Sequence, residues 1–279
     1  MLQVLVLSFI LSHFNLGGDL ALVIKNFEVL SNEERLVFRN FLSSFQWRYD
    51  RPLGAPIVKL FPIHQVYHTE DYFVSIKDQI IPPSQINEKL LTNKFLKLTL
   101  SGDKLLYKHL EVPSISRSQF YLDYVCAKID TLDPQLRDET MISILKELPR
   151  LNEENPSLQE KLKSLAFVPT KSGKLVAPNS LYDPRIDDFH SILDEQESFP
   201  VGEYLNTTVL AVLQVLGMQS ALTLTVLVDI ARALASTSTK NTEGPAVLNK
   251  RAKSLLVYID ANISKFLDPK PTKGKRVRR

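Results

Sequence analysis

The sequence has a single cysteine, Cys126, in 279 residues, so it builds neither an internal disulfide framework nor a thiolate metal cluster. That economy suits a reducing compartment, and the cytoplasm, or alternatively the nucleus, is the expected location. Long apolar runs are equally scarce. The longest near the N-terminus, Val4 to Leu11 in MLQVLVLSFILSHF, has the length of a signal core but lacks a basic flank and is too short to span a bilayer. A buried apolar helix is expected there instead, and no membrane partner. Basic charge is missing from the body of the chain as well. The net charge is +3, yet the last ten residues, Lys270 to Arg279, hold six Lys or Arg and no acid, which leaves the rest at −3. A general polyanion-binding surface is therefore not expected, and nucleic acid is not an expected partner of the body.

Hydrophobic residues make up 44% and charged residues 23%, the composition of a globular protein with a sizeable core. Ser31-Asn32-Glu33-Glu34 has the form of a capping box, and Leu36, Val37, Phe41, Leu42 and Phe45 follow at helical spacing, predicting a helix over 32–45. Pro52, Pro56 and Pro62 then interrupt the pattern, and 57–61 and 72–76 read as short strands. Ser116 to Gln119 repeats the box ahead of Phe120, Tyr121, Tyr124, Val125 and Ile129. Further helices are predicted over 134–148, ending before Pro149, and over 158–165. Two apolar segments, 206–216 and 223–235, read as a helix pair with Gly217 at a left-handed C-cap. A polar linker, 236–244, precedes a last helix opening at Pro245.

The expected fold is helix-rich α+β, short helices with small β-hairpins, without a Rossmann or P-loop pattern. Five segments are expected: an apolar helical segment 1–30, a helix-rich α+β segment 31–150, a hairpin and helix-pair segment 151–236, a C-terminal helix 245–267 and a disordered basic tail 268–279.

Lys171-Ser172-Gly173-Lys174 resembles part of a phosphate-binding loop. Such a loop needs a glycine five residues before Gly173 and a Ser or Thr after Lys174, to converge backbone N–H groups on phosphate and to hold magnesium. Val168 and Leu175 occupy those places. The better reading is a hairpin, 166–169 with 174–177, turned at a positive-φ Gly173. No cofactor is expected.

The same stretch carries a resemblance. Phe167-Val168-Pro169, Gly173, and Leu181-Tyr182-Asp183-Pro184-Arg185 are similar to a hallmark of the sacsin family and its plant relatives, very large chaperone-like proteins. Collinear matches run from Leu30-Ser31 through Trp47, Leu60-Phe61-Pro62-Ile63, Phe120-Tyr121 to Val125, Ser198-Phe199-Pro200 and Leu216-Gly217-Met218, covering residues 30–236. In that family ATP binds an Hsp90-like domain through an Asn-x-x-Asp box. The nearest imitation here, Asn152-Glu153-Glu154-Asn155, lacks the Asp and adjoins Pro156. The resemblance thus implies an inter-domain segment without the nucleotide site, a non-enzymatic scaffold or client-binding role in protein quality control, and protein partners that include unfolded clients and Hsp70-type chaperones. The rival readings are a degenerate Hsp90-like ATPase, and a nucleic-acid or nuclear-import-receptor ligand acting through the tail.

Other residues weigh towards structure. His64 and His68 have the spacing of a zinc helix, but HQVYH lacks the Glu of a metalloprotease and looks extended, so no metal is expected. Cys126 reads as a small core residue rather than a nucleophile, and Asp187-Asp188 and Asp194-Glu195 as a solvated face. Asp183 reads as a turn carboxylate with Arg185 as its ion-pair partner, and Tyr182 as packing inward. Contacts with partners are expected from Val212 and Val228, on helices too apolar for one buried face, and from Lys275, Arg276, Arg278 and Arg279 in the tail.

Overall fold

The computed structural model describes residues 31–43, 63–68, 73–240 and 245–267. The predicted strand 57–61, the segment 1–30 and the tail 268–279, with Lys275, Arg276, Arg278 and Arg279, lie outside the described residues. The fold is helix-rich α+β, with two small two-stranded antiparallel sheets among the described residues. The chain divides into two compact units at Val125 and Cys126.

In the first unit, helix α1 (Asn32–Ser43) opens with the complete capping box. The Ser31 N–H donates to Glu34 Oε2 at 2.9 Å, while the Glu34 N–H donates back to Ser31 Oγ at 3.3 Å. That exchange holds the Glu34 carboxyl below its ordinary value. Strands β1 (His64–Gln65) and β2 (Phe73–Val74) pair antiparallel, and helix α2 (Asp103–His109) follows. The short helix α3 (Arg117–Phe120) is capped by Ser116, whose Oγ accepts the Gln119 N–H at 3.1 Å. Here the predicted box is half made, because the Gln119 side chain donates to Asp123 at 2.6 Å instead of turning back to the cap. The continuous helix expected from residue 116 is also replaced: beyond Phe120 the chain widens into a π-turn over Tyr121–Val125, then tightens into a 3-10 segment over Cys126–Thr131. In the π-turn Tyr124 stacks on Phe120, and both rings meet Phe95 edge-on. Aromatic packing outweighs helical regularity there.

The second unit is built on helix α4 (Pro134–Glu154), capped by Asp133 with Pro134 in the first turn. The expected stop before Pro149 is overturned: the helix runs one and a half turns further. Pro149 faces solvent, whereas Leu148 and Leu151 on either side of it are buried. Their burial offsets the lost backbone hydrogen bond. Helix α5 (Ser157–Ser164) packs back on α4 through buried Leu158 and Leu162. Strands β3 (Val168–Pro169) and β4 (Leu175–Val176) form the second hairpin. Helices α6 (Asp187–Ile192), α7 (Thr207–Val215), α8 (Leu224–Lys240) and α9 (Pro245–Leu267) complete the unit.

The apolar segments expected to pair with one another take different partners. Helix α7 packs on α4, and α8 packs on α9, which also covers α6. Val209, Leu210 and Leu213 of α7 are buried, each worth roughly 1.5–3 kcal/mol in apolar surface removed from water. Most of α7's hydrophobicity is therefore core. The predicted linker likewise shortens, since Ser236 to Lys240 continue α8. Ser236 Oγ donates to the Ala233 carbonyl at 2.8 Å, a bond that lets serine remain inside a helix.

Candidate interaction site

Thr170 and Lys174 close the β3–β4 turn. The Thr170 N–H and Oγ1 each donate to the Lys174 carbonyl at 3.0 Å, and the Gly173 N–H donates to the Thr170 carbonyl at 2.9 Å. Gly173 has φ +82°, in the left-handed region that a side chain strains. The two lysines of the turn point to acids further along the chain. Lys171 Nζ lies 3.4 Å from Glu195 and Lys174 Nζ 3.9 Å from Glu197. The ammonium that would grip a phosphate thus has an internal carboxylate beside it.

At the base of the hairpin, Phe167 and Val168 are fully buried, and Phe167 packs on the ring of Tyr204. Pro169 accepts the Val201 N–H at 3.2 Å, which ties the hairpin to the Ser198-Phe199-Pro200 segment. Burial pushes the Tyr204 hydroxyl well above its ordinary range.

The Leu181 to Arg185 turn is organised by one carboxylate. Asp183 is buried, and its Oδ1 accepts the Arg185 N–H at 3.0 Å, the Asx-turn arrangement. Arg185 then folds back, donating from Nε to Oδ1 at 2.8 Å and from Nη2 to Oδ2 at 2.7 Å. This two-pronged bond is the main reason the Asp183 carboxyl is held below the usual aspartate value and the Arg185 guanidinium above its own. A further donor comes from afar: Gln214 Nε2, on α7, reaches Oδ2 at 2.6 Å.

Backbone bonds seat the same turn. The Gln219 N–H donates to the Leu181 carbonyl at 2.8 Å, and the Asp183 N–H donates to the Gln219 carbonyl at 2.9 Å. Leu181 is fully buried, while Tyr182 is half-buried with its ring edge-on to Phe189, centroids 5.8 Å apart. His190 Nε2 donates to the Pro184 carbonyl at 2.8 Å. Gly217, at φ +111°, lies against Asn179, where an added Cβ would sit 3.3 Å from the Asn179 Cβ. The motif residues thus form one connected patch, and its chemistry is positioning. Its carboxylate is spent on an arginine, an amide and a backbone N–H.

The other expected sites separate. His64 lies in β1, buried, its Nδ1 3.2 Å from the Tyr107 hydroxyl, and His68 sits in a turn at φ +64°, so no helix brings the two imidazoles to one face. Among the described residues no three His, Cys, Asp or Glu side chains converge as a metal would need. Cys126 opens the 3-10 segment, buried, and burial pushes its thiol up to about 12 against the lowering influence of Lys161. Asp187 and Asp188 are exposed in the first turn of α6; Asp194 accepts the Gln196 N–H and Glu195 pairs with Lys171. Val212 is half-buried and Val228 exposed.

Two features escaped the sequence reading. Gln214 is the only polar residue between Val209 and Met218 other than Gly217, and a lone amide in such a run is a legible signal. The second is a buried polar cluster in the first unit. Arg39 Nε stands 3.7 Å from Asp103 Oδ1, both side chains fully buried. Arg39 also donates from Nη2 to Thr99 Oγ1. Asp103 accepts Ser43 Oγ at 2.8 Å and the Thr99 and Leu100 N–H groups at 3.0 and 2.9 Å. No spacing rule links residues 39 and 103.

Compared with known proteins, this chain is 24% identical over 180 residues to human sacsin, an alignment covering 63% of the chain. The chain is similar to sacsin. It spans only 3% of the length of that curated relative. No family model matches, and no solved structure does. The sacsin similarity agrees with the resemblance carried by Phe167 to Pro169, at the base of the hairpin, and by Leu181 to Arg185, the turn organised by Asp183. Among the described residues no helix is long and apolar enough to cross a membrane.

Proposed function

We propose that the chain is a non-enzymatic scaffold or client-binding segment of a sacsin-like, chaperone-type protein in protein quality control. The observation that carries this reading is the similarity to sacsin over 180 residues. Two features support it. The Lys171 to Lys174 turn presents its ammonium groups to Glu195 and Glu197 and lacks the glycine and hydroxyl of a phosphate loop. Large apolar side chains stand in solvent, among them Leu205, Val215, Leu256 and Val257 at 48–68% exposure. Each would lose its contact with water on meeting an apolar protein partner.

The test is a light-scattering assay of a chemically unfolded model protein diluted into buffer. The chain at equimolar ratio is expected to delay aggregation equally with and without Mg-ATP. No delay would remove the client-binding role. A delay that requires ATP, together with calorimetric nucleotide binding lost in Lys174→Ala, would instead establish the ATPase reading.

A further inference from the structure

The first unit holds a half-open cavity of about 230 Å³. Buried Leu91, with half-buried Ile86 and Leu98, gives it an apolar lining. Two charges of opposite sign face the same space. Glu88 opens the 3-10 turn Glu88–Leu90, and Lys104 stands in the first turn of α2. They are too far apart for an ion pair, and neither side chain takes a hydrogen bond or ion pair from another described residue. Opposite charges that share one cavity without pairing leave each free for a ligand group.

Tyr67 completes the lining and feels the Glu88 charge. Burial first, and then that carboxylate, hold its hydroxyl above the ordinary value. The phenol stays neutral, and its oxygen is a second acceptor for a cation drawn to Glu88. Gln85, which also lines the cavity, is exposed and has φ +63°, a left-handed conformation that glycine or asparagine adopts far more readily. A long amide kept in a strained turn beside a cavity points to a use for that amide.

A ligand that satisfies these groups together carries an ammonium and a carboxylate a few bonds apart, and an apolar branch. A pure cation would meet Lys104 as a like charge, and a pure anion would meet Glu88. The volume lies below the roughly 300–1,000 Å³ of drug-sized sites and suits one small molecule. We propose that this cavity binds a free α-amino acid with an apolar side chain, its ammonium at Glu88 and Tyr67, its carboxylate at Lys104 and Gln85, and its side chain on Leu91 and Leu98. The inference goes beyond the client-binding reading and does not depend on it.

The test is a titration of the full chain with L-leucine, followed by NMR of labelled isoleucine and leucine methyl groups. Saturable shifts are expected at Ile86, Leu91 and Leu98, in the millimolar range that about nine non-hydrogen atoms in a half-open site allow. Isocaproate lacks the ammonium of leucine and isoamylamine lacks its carboxylate; each is expected to bind about fivefold more weakly, the worth of one exposed charge pair. Glu88→Gln should erase the preference for leucine over isocaproate and keep that over isoamylamine, while Lys104→Gln should do the reverse. A merely structural role of either residue would weaken all three ligands alike. Gln85→Gly releases the strained φ, so it is expected to raise the melting temperature and yet weaken leucine binding about threefold. The proposal is overturned by any of four results: no saturable shifts, isocaproate or isoamylamine binding as tightly as leucine, charge variants that leave both preferences intact, or a Gln85→Gly chain that binds leucine as well as the wild type.

Discussion

Gln214 donates from Nε2 to Oδ2 of Asp183 at 2.6 Å, fastening α7 to a turn 31 residues earlier. Asp183 also receives the Arg185 guanidinium and backbone, so one buried carboxylate joins the local turn to a distant helix.

Removing that carboxylate strands the Arg185 guanidinium and backbone N–H and the Gln214 amide. Asp183→Ala is expected to cost about 2–3 kcal/mol, short of the full penalty for a broken buried pair because Arg185 is partly exposed. Gln214→Leu should cost less, about 1 kcal/mol, since the Arg185 bonds survive. Urea denaturation of the two single variants and the double gives the coupling.

The same residue sets a pH dependence. Asp183 has its folded-state pKa depressed, chiefly by Arg185, so the unfolded chain binds the proton more readily and stability rises with pH. The contribution is complete above the unfolded aspartate range and is lost as pH falls through the folded value. Acid unfolding followed by circular dichroism should therefore begin at higher pH in the wild type than the Asp183→Asn chain's own slope predicts, with the variant's stability flatter below about pH 4.

Gly173 and Gly217 separate backbone strain from crowding. An added Cβ at Gly173 meets nothing within 4 Å, so Gly173→Val should cost about 1 kcal/mol or more from its positive φ alone. Gly217→Ala adds a tight contact with Asn179 and should lower the melting temperature further. An unchanged melting temperature in Gly173→Val would contradict the turn geometry.

The buried Arg39 and Asp103 make a sharper case. Asp103→Ala leaves a fully buried guanidinium without its counter-charge and is expected to cost about 3–5 kcal/mol. Arg39→Met should cost less, because Ser43 and two backbone N–H groups still hold the carboxylate. A double-mutant cycle on the first unit's unfolding transition measures the coupling.

Cys126 offers a chemical check. With its thiol pushed up to about 12 by burial, it should resist iodoacetamide at about pH 8 in the native chain and react fully in concentrated guanidinium. Rapid native labelling would place the sulfur in solvent.

By itself the sequence determined the features whose causes are local. The Ser31 to Glu34 box, the Asp133 and Ser116 caps, the positive φ at Gly173 and the Asx-turn at Asp183 each depend on residues within a few positions of one another, and each is present. The hairpin reading of residues 166–177 belongs with them. Where distant packing competes with local preference, the tertiary structure decided. It carried α4 through Pro149 because Leu148 and Leu151 face the core, and it broke the helix after Phe120 around an aromatic cluster with Phe95. It also gave α7 to α4 and α8 to α9 although the two helices are neighbours in sequence. The bonds from Gln214 to Asp183 and from Arg39 to Asp103 are of the same kind, for a side chain's polar partner is chosen by what folding brings within hydrogen-bond reach, and no periodicity along the chain encodes it.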